Sequence, residues 1–376
     1  MNKFFRFAGH GFALAAVLAV GSTVGYAQDP CEDFDGQAAV YEKFTANMAG
    51  DLAKRKVAVT AGKEYLEKYG ACEGSKDIAA YLKTNLPPME EAIKKQEAAE
   101  TTAKLFERYD AGVQKRNYDE AYAAGRTILA QYPDNLNVML PLSLIGLYES
   151  YDKNFKYNED TLKYARQALQ MLKSGKEATK KNKEGVPVYG VFQFERNKED
   201  AISELNYTIA YILYHVKNDK KGALPYYYDV AQNPGALREE PRVYQTVGAY
   251  YLENAGKIGE EIAKMIEELK TITDEDARVA KDAEIKKRIA LFNGYTERAL
   301  DAYSRAHKVT KDDAANKEYK AGLYKTIQTL YERRFDKKDG IDAYIASTVA
   351  KPMPNPTTEV SPVAESEPAT NTTGRN

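Results

Sequence analysis

The sequence predicts an all-α protein, and three observations carry that prediction. Apolar residues recur at i, i+3, i+4 and i+7 nearly everywhere from residue 37 to 350, as in Leu205, Ile209, Ile212, Leu213 and Val216, or Ile258, Ile262, Met265, Ile266 and Leu269. The period-two alternation of half-buried strands is almost absent. Ala, Glu, Lys, Gln and Arg, all good helix formers, fill the polar positions. Breaks are expected at Gly70 and Gly74, Pro87-Pro88, Pro133-Asp134-Asn135, Gly175, Asn233-Pro234-Gly235, Thr273-Asp274 and Asp339-Gly340, where turn chemistry is concentrated. They divide the chain into about twelve helices. The short connections between them imply antiparallel helical hairpins.

The chain ends differ from this body. Residues 1–27 read as a secretory signal peptide: Lys3 and Arg6, an uncharged run from Phe12 to Val20, and small residues at Gly25 and Ala27, with cleavage expected before Gln28. The apolar run is shorter than the roughly 20 residues a membrane span needs. No transmembrane anchor is expected after cleavage. Export places Cys31 and Cys72 in an oxidising compartment, where the pair has one possible connectivity; a metal site would need different spacing and nearby histidine. Residues 28–351 form the expected helical domain. Residues 352–376 carry five prolines, many Ser and Thr and few large apolar residues, and are expected to be a disordered tail.

A degenerate repeat accounts for the hairpins. Asn117-Tyr118-Asp119-Glu120-Ala121 is followed, twelve residues after the alanine, by Pro133. Ala299, Tyr303 and Ala306 stand at i, i+4 and i+7; Ala223 and Tyr227 repeat two of these positions, with Val230 at the third. Gly340, Tyr344 and Ser347 fit again, and Thr161, Ala165 and Ala168 form a weaker version, as do Ala61 and Tyr65. This pattern resembles the second helix of tetratricopeptide (TPR) repeats, in which a small residue opens the helix and proline closes it. The resemblance implies hairpins stacked as a right-handed α-α superhelix. Ala121, Pro133, Ala223, Tyr227, Ala299, Tyr303 and Ala306 would then be its packing residues. It also implies protein or peptide binding rather than catalysis. The anchors at 61, 121, 161, 223, 299 and 340 are unevenly spaced, unlike a steady 34-residue repeat.

The inventory for catalysis is thin. The chain has three histidines, two cysteines, 54 basic and 55 acidic residues. Loss of the signal removes His10, Lys3 and Arg6 and takes the formal charge from −1 to −3, which argues against a nucleic-acid partner. No glycine-rich phosphate cradle follows a strand, and no zinc-protease or nucleophile-elbow motif is present in the mature chain. His215 and His307 stand near helix ends, where imidazoles meet the last carbonyls. Ser150-Tyr151-Asp152-Lys153 has the SxxK spacing of penicillin-recognising enzymes without their companion motifs. Neither an enzyme nor a bound cofactor or metal is expected.

Two features point to binding. The chain has 29 tyrosines and no tryptophan. In a TPR-like fold the first helix of each hairpin lines a concave groove, which places Tyr207, Tyr211, Tyr214, Tyr244, Tyr250 and Tyr251 as candidate contacts. The connection from Lys176 to Lys198 adds Tyr189, Phe192 and Phe194. The expectation is therefore an exported, non-enzymatic scaffold or adaptor for a protein or peptide, periplasmic or secreted. The alternatives are an all-α saccharide-binding protein or glycan-active enzyme, disfavoured by the absence of tryptophan, and an envelope structural protein tethered through its tail.

Overall fold

A computed structural model describes residues 29–364; the expected signal peptide and residues 365–376 lie outside the described residues. The chain is all-α, with twelve α-helices and one two-stranded hairpin among the described residues. It divides into two compact units at Ala103/Lys104, where the sequence suggested one continuous repeat domain.

The first unit contains α1 (Phe34–Asn47), α2 (Leu52–Tyr69) and most of α3 (Lys76–Gln114). Asp33 and Asp51 cap α1 and α2 by accepting from the backbone N–H of Gly36 and Lys54. Phe44, Ala58, Ala61, Tyr65, Leu82, Leu86 and Ile93 form its core. Cys31 and Cys72 are joined in a disulfide that ties the described N-terminus to the end of α2. Beside it the Tyr65 hydroxyl donates to Ser75 Oγ at 3.0 Å, and Tyr69 donates to Asp33 at 3.1 Å. The break expected at Pro87-Pro88 does not occur: both prolines lie inside α3. They are exposed, as are Lys83 and Thr84, whose carbonyls lose their helical donors, so water can replace those bonds. Leu82, Leu86 and Ile93 meanwhile stay buried on the opposite face.

The second unit begins with the end of α3. It continues through α4 (Tyr118–Gln131), α5 (Leu136–Tyr151), α6 (Asn158–Lys173), a hairpin of β1 (Lys180–Lys181) and β2 (Pro187–Val188), and α7 (Lys198–Tyr211). It ends with α8 (Lys220–Gln232), α9 (Pro241–Thr271), α10 (Glu275–Val309), α11 (Lys317–Phe335) and α12 (Ile341–Val349). From α4 onward each helix packs on the next in sequence, and α5 also meets α7 while α10 meets α12. The turns fall at Pro133-Asp134-Asn135, Gly175, Asn233-Pro234-Gly235, Thr273-Asp274 and Asp339-Gly340, with Gly175 and Gly340 at positive φ.

The repeated signature sits on alternate helices: α4, α6, α8, α10 and α12. Ala121, Thr161, Ala165, Ala168, Ala223, Tyr227, Ala299, Tyr303 and Ala306 are all buried, whereas on α12 Tyr344 is half-buried and Ser347 exposed. Their partners on the preceding helix include glycines that the sequence pattern did not single out. A Cβ on Gly112 of α3 would lie 2.7 Å from Ala121 N and 3.0 Å from Ala121 Cα. On Gly146 of α5 it would collide with the Thr161 hydroxyl of α6, and on Gly248 of α9 it would meet the Tyr303 ring of α10 at 2.9 Å. In these hairpins one helix thins to glycine where the next presents a signature residue. Pro133 differs from the expectation that it packs: it is exposed, and its part is to follow the end of α4, where it cannot donate a helical N–H.

The expected tail is corrected for residues 352–364, which lie against α10 and α11. Met353 and Pro356 are buried, Val363 N donates to Ala290 O at 2.8 Å, and Asn293 donates to Val363 O at 3.3 Å. Arg334 donates to Ala364 O at 3.2 Å, and Arg298 to Asn355 O at 3.5 Å and to Thr358 Oγ1 at 3.2 Å. Arg305 holds the turn into this segment through Lys351 O at 2.8 Å. Composition predicted disorder because so little apolar surface is available to bury. Arginine donors to main-chain carbonyls supply what that reasoning left out, and proline has little backbone freedom to lose.

Candidate functional site

A cleft of about 590 Å³ opens in the second unit between α5, α7 and α9. These are the helices that precede signature helices in their hairpins. Tyr151 contributes from α5, Tyr207, Tyr211, Tyr214 and His215 from α7 and the turn after it, and Glu240, Arg242, Gln245, Thr246 and Ala249 from α9 and its cap.

Helical spacing places these groups. Tyr207, Tyr211 and His215 are at i, i+4 and i+8, so they share one face. The last turn of α7 widens to a π-helical segment, Ile212–Val216. His215 was expected to meet helix-end carbonyls; it instead faces the cleft, its ring 4.7 Å from Tyr211 and 4.8 Å from Tyr214. Arg242, Gln245, Thr246 and Ala249 recur at i, i+3, i+4 and i+7 and form one stripe on α9, polar at its first three positions.

The rings form a file. Phe194 backs Tyr148 at 6.3 Å, Tyr148 is 6.1 Å from Tyr151, Tyr151 meets Tyr211 edge-on at 4.8 Å, and Tyr211 leads to His215. Among the rings that reach solvent, from Tyr148 through Tyr151 and Tyr211 to His215, neighbouring planes are tilted by 49°, 87° and 42°, so their surface is corrugated rather than flat. Tyr148 and Tyr151 remain more than two-fifths exposed, at 42% and 44%.

Burial sets the protonation of the lining. It pushes Tyr151 up, with the neighbouring Tyr207 hydroxyl adding to the effect, and it also raises Tyr207 and Tyr211. Tyr214 is pushed up to about 12, by burial first and then by Glu253. His215 is lowered by burial, then by Lys220. At neutral pH the phenols and the imidazole are therefore uncharged. The formal charges of the lining are Glu240 and Arg242. Glu240 already accepts from Arg242 N as the cap of α9, while the exposed Arg242 guanidinium has no ion-pair partner among the described residues. Gln245 accepts from the Tyr319 hydroxyl of α11 at 2.7 Å. The cleft thus offers tilted aromatic faces edged by groups that can both donate and accept, with the Tyr151 and Thr246 hydroxyls already engaged by Tyr207 and Tyr227.

Of the nine candidate contacts, Tyr207, Tyr211 and Tyr214 line this cleft. Tyr244 is buried and donates to Arg238 O at 2.8 Å, closing the turn before α9. Tyr250 and Tyr251 turn toward α10, where Tyr251 is 6.1 Å from Tyr295; the Tyr251 hydroxyl is buried without a partner among the described residues. In the 176–198 connection, Tyr189 is buried, donates to Lys176 O at 3.0 Å and pairs through its backbone with Arg196. Phe194 is buried, Gly190 N donates to Asn137 Oδ1, and only Phe192 reaches solvent, at 38%. This loop is folded onto α5. The residues not anticipated are Tyr148, Tyr151, His215, Glu240, Arg242, Gln245 and Thr246. Tyr148 and Tyr151 carried a readable signal, an i, i+3 aromatic pair on a first helix; the polar stripe of α9 carried none.

A second cleft, of about 770 Å³, lies where α10 turns into α11, lined by His307, Lys311, Asp312, Lys320 and Tyr324 among others. His307 is lowered by burial, then by Lys320. Among the described residues no three His, Cys, Asp or Glu side chains are placed to hold a metal ion, and no helix is long and apolar enough to cross a membrane. Comparison of the chain with family models, with curated proteins and with solved structures finds no match.

Proposed function

We propose that this protein is an exported, TPR-like helical-repeat scaffold that binds a protein or peptide partner in the cell envelope and catalyses no reaction. The observation that carries this reading is the division of labour between alternate helices. Signature residues on α4, α6, α8 and α10 are buried against the helix before them. The helices left to face outward together, α5, α7 and α9, line one tyrosine-rich cleft. A right-handed superhelix gives that arrangement. The rings supply large rigid contact area at low entropic cost, as at protein interfaces. The Cys31–Cys72 disulfide supports residence in an oxidising compartment.

The test is a random-peptide display screen against residues 28–376 with the disulfide intact. Selected peptides should bind the parent and lose roughly tenfold or more in affinity to the Tyr207→Ser/Tyr211→Ser double variant. Circular dichroism would verify that this variant keeps its helix content. Peptides that bind both chains equally, or a screen that enriches nothing, would overturn the reading. Export is tested separately: N-terminal sequencing of the protein from an envelope fraction should begin at Gln28.

A further inference from the structure

We propose that a second copy of this chain docks on the outer half of the α9–α10 hairpin, so that two hairpins pair antiparallel as a four-helix bundle. Pairing of this kind is independent of what the tyrosine cleft holds. Burial, exposure and charge along the hairpin point to it.

The hairpin is poorly covered over its outer half. Ile258 and Ile285 are buried, but residues 259–284, between them, are all exposed or half-buried. That stretch is about 15–20 Å of each helix. Ile262, Met265, Leu269 and Ile272 recur at intervals of three and four, the spacing of a helix–helix seam, and are only half-buried. Helices in proteins owe most of their stability to packing of such a face. A hairpin whose seam is incompletely covered is therefore short of a partner.

One edge of the hairpin is closed by its own ion pairs, Lys281 to Glu268 at 2.7 Å and Arg288 to Glu261. Ile266 stands two residues from Glu268, and Val279 two residues from Lys281, roughly 200° around their respective helices. Both therefore show on the opposite edge, where Ile266 is 40% and Val279 61% exposed. The register of the two ion pairs sets Val279 level with Lys270, one helical turn from Ile266. The two exposed apolar side chains are thus near neighbours along the open edge.

Charge selects the occupant. Residues 267–276, around the turn, hold five acidic residues and one basic, a formal charge of −4; residues 277–288 hold five basic and two acidic, a charge of +3. A second hairpin laid antiparallel sets the acidic turn of each copy against the basic stretch of α10 in the other. A parallel arrangement would set acid on acid. A two-fold axis midway between Asp276 and Lys286 satisfies both halves at once, because each copy contributes the same patch, with Ile266 and Val279 near its centre. The ion pairs already made along this stretch are largely exposed and contribute little, so re-pairing across the contact costs little. A nucleic acid or an anionic lipid surface would meet the acidic turn and be repelled.

The experiment is sedimentation velocity on residues 28–376 with the disulfide intact, from about 1 to 200 µM, the range in which a small interface associates. The parent should pass from monomer to dimer as concentration rises. Ile266→Ser/Val279→Ser should weaken association at least about fivefold, with an unchanged melting curve because both side chains are exposed. Lys286→Glu/Lys287→Glu makes the hairpin acidic throughout, and Glu275→Lys/Asp276→Lys removes the acidic excess at the turn and leaves it basic overall. Each of these should associate at least about fivefold more weakly alone, and an equimolar mixture of the two should regain the dimer. Circular dichroism would verify that all three variants keep their helix content. A parent that stays monomeric across the range would overturn the proposal, as would a dimer unchanged by either the apolar or the charge variants. A mixture that fails to restore association would overturn the antiparallel pairing. None of these results bears on peptide binding, which is tested at Tyr207 and Tyr211.

Discussion

Replacing Gly112 by alanine tests the packing logic of the second unit, because general propensity and local geometry predict opposite signs. Inside a helix, glycine to alanine stabilises by about 0.5–1 kcal/mol, through the entropy of the unfolded chain. At Gly256 of α9 and Gly322 of α11 an added Cβ meets nothing within 4 Å, so Gly256→Ala and Gly322→Ala should each show that gain. At Gly112 the added Cβ meets the backbone of α4, 2.7 Å from Ala121 N, 3.0 Å from Ala121 Cα and 3.1 Å from Asn117 O. Backbone atoms cannot swing aside as side chains do. The helices must part by roughly 1 Å to restore an ordinary contact of about 3.5 Å. Overpacking of this kind costs about 1–3 kcal/mol, which outweighs the propensity gain and leaves a net loss of about 1–2 kcal/mol. For a unit of this size that is a fall of roughly 3–6 °C in melting temperature. Thermal melts followed by circular dichroism at 222 nm would compare the three single variants with the parent. If Gly112→Ala melts at or above the parent while the other two behave as expected, the close approach of α3 and α4 is refuted, and with it the reading of Ala121 as a packing residue.

Cys31→Ser should cost the first unit about 4 kcal/mol, from the loop-closure entropy of a 41-residue separation, and dithiothreitol should destabilise the parent but not the variant. Deleting residues 352–376, or replacing the buried Arg334 with methionine, should speed hydrogen exchange in α10 and α11, because Arg334 bridges Glu297 and Ala364 O; exchange unchanged in both would show that the segment contributes nothing to holding them. Stability should fall on acidification. The folded pKa of His215 is depressed by burial, so its contribution is complete above the unfolded value of 6.5 and is lost as pH falls through the lower folded value; His215→Gln should flatten urea midpoints measured from pH 7.5 to 5. At the alkaline end Tyr214 and Tyr319 are raised to about 12, so their contribution is complete below 10 and disappears as pH rises toward 12, which tyrosinate absorbance at 295 nm would follow.

The helical class was legible because amphipathic periodicity is a local property. So were most of the turns, where proline, glycine and asparagine act on their own backbone. Pro87-Pro88 was misleading because the cost of proline inside a helix falls when the freed carbonyls reach water and the opposite face is held by burial, and that depends on which face is buried. The tail was misread for a similar reason. Its partners, Arg298, Arg305 and Arg334, are distant in sequence and give no periodic signal. At the cleft, the α7 tyrosines were visible as a stripe. Tyr244 and Tyr251 were not separable from them, since a tyrosine buried in a helix interface and one facing a groove share the same heptad-like spacing. Gly112, Gly146 and Gly248 could have been found by asking why glycine stands inside helices that otherwise favour alanine.

The repeat signature and the cleft are two sides of one arrangement. Tyr227, the aromatic of the α8 signature, is buried and meets Tyr207 edge-on at 6.0 Å and Tyr214 at 6.2 Å. Those two rings show one face to the core and another to the cleft. A residue that appears in the sequence as packing therefore fixes the tilt of the rings that line the cleft. On α9, Gly248 receives the Tyr303 ring of α10, while Gln245 and Ala249 on the same helix line the cleft. The spacing between first and second helices in each hairpin thus sets how far α5, α7 and α9 stand apart. First-helix side chains on the cleft can therefore change while the second helices keep the small–aromatic–small pattern. This division also explains why that pattern was readable from sequence as architecture while most of the cleft lining was not. Architecture is encoded in residues three and four apart, and the cleft in residues brought together from α5, α7 and α9.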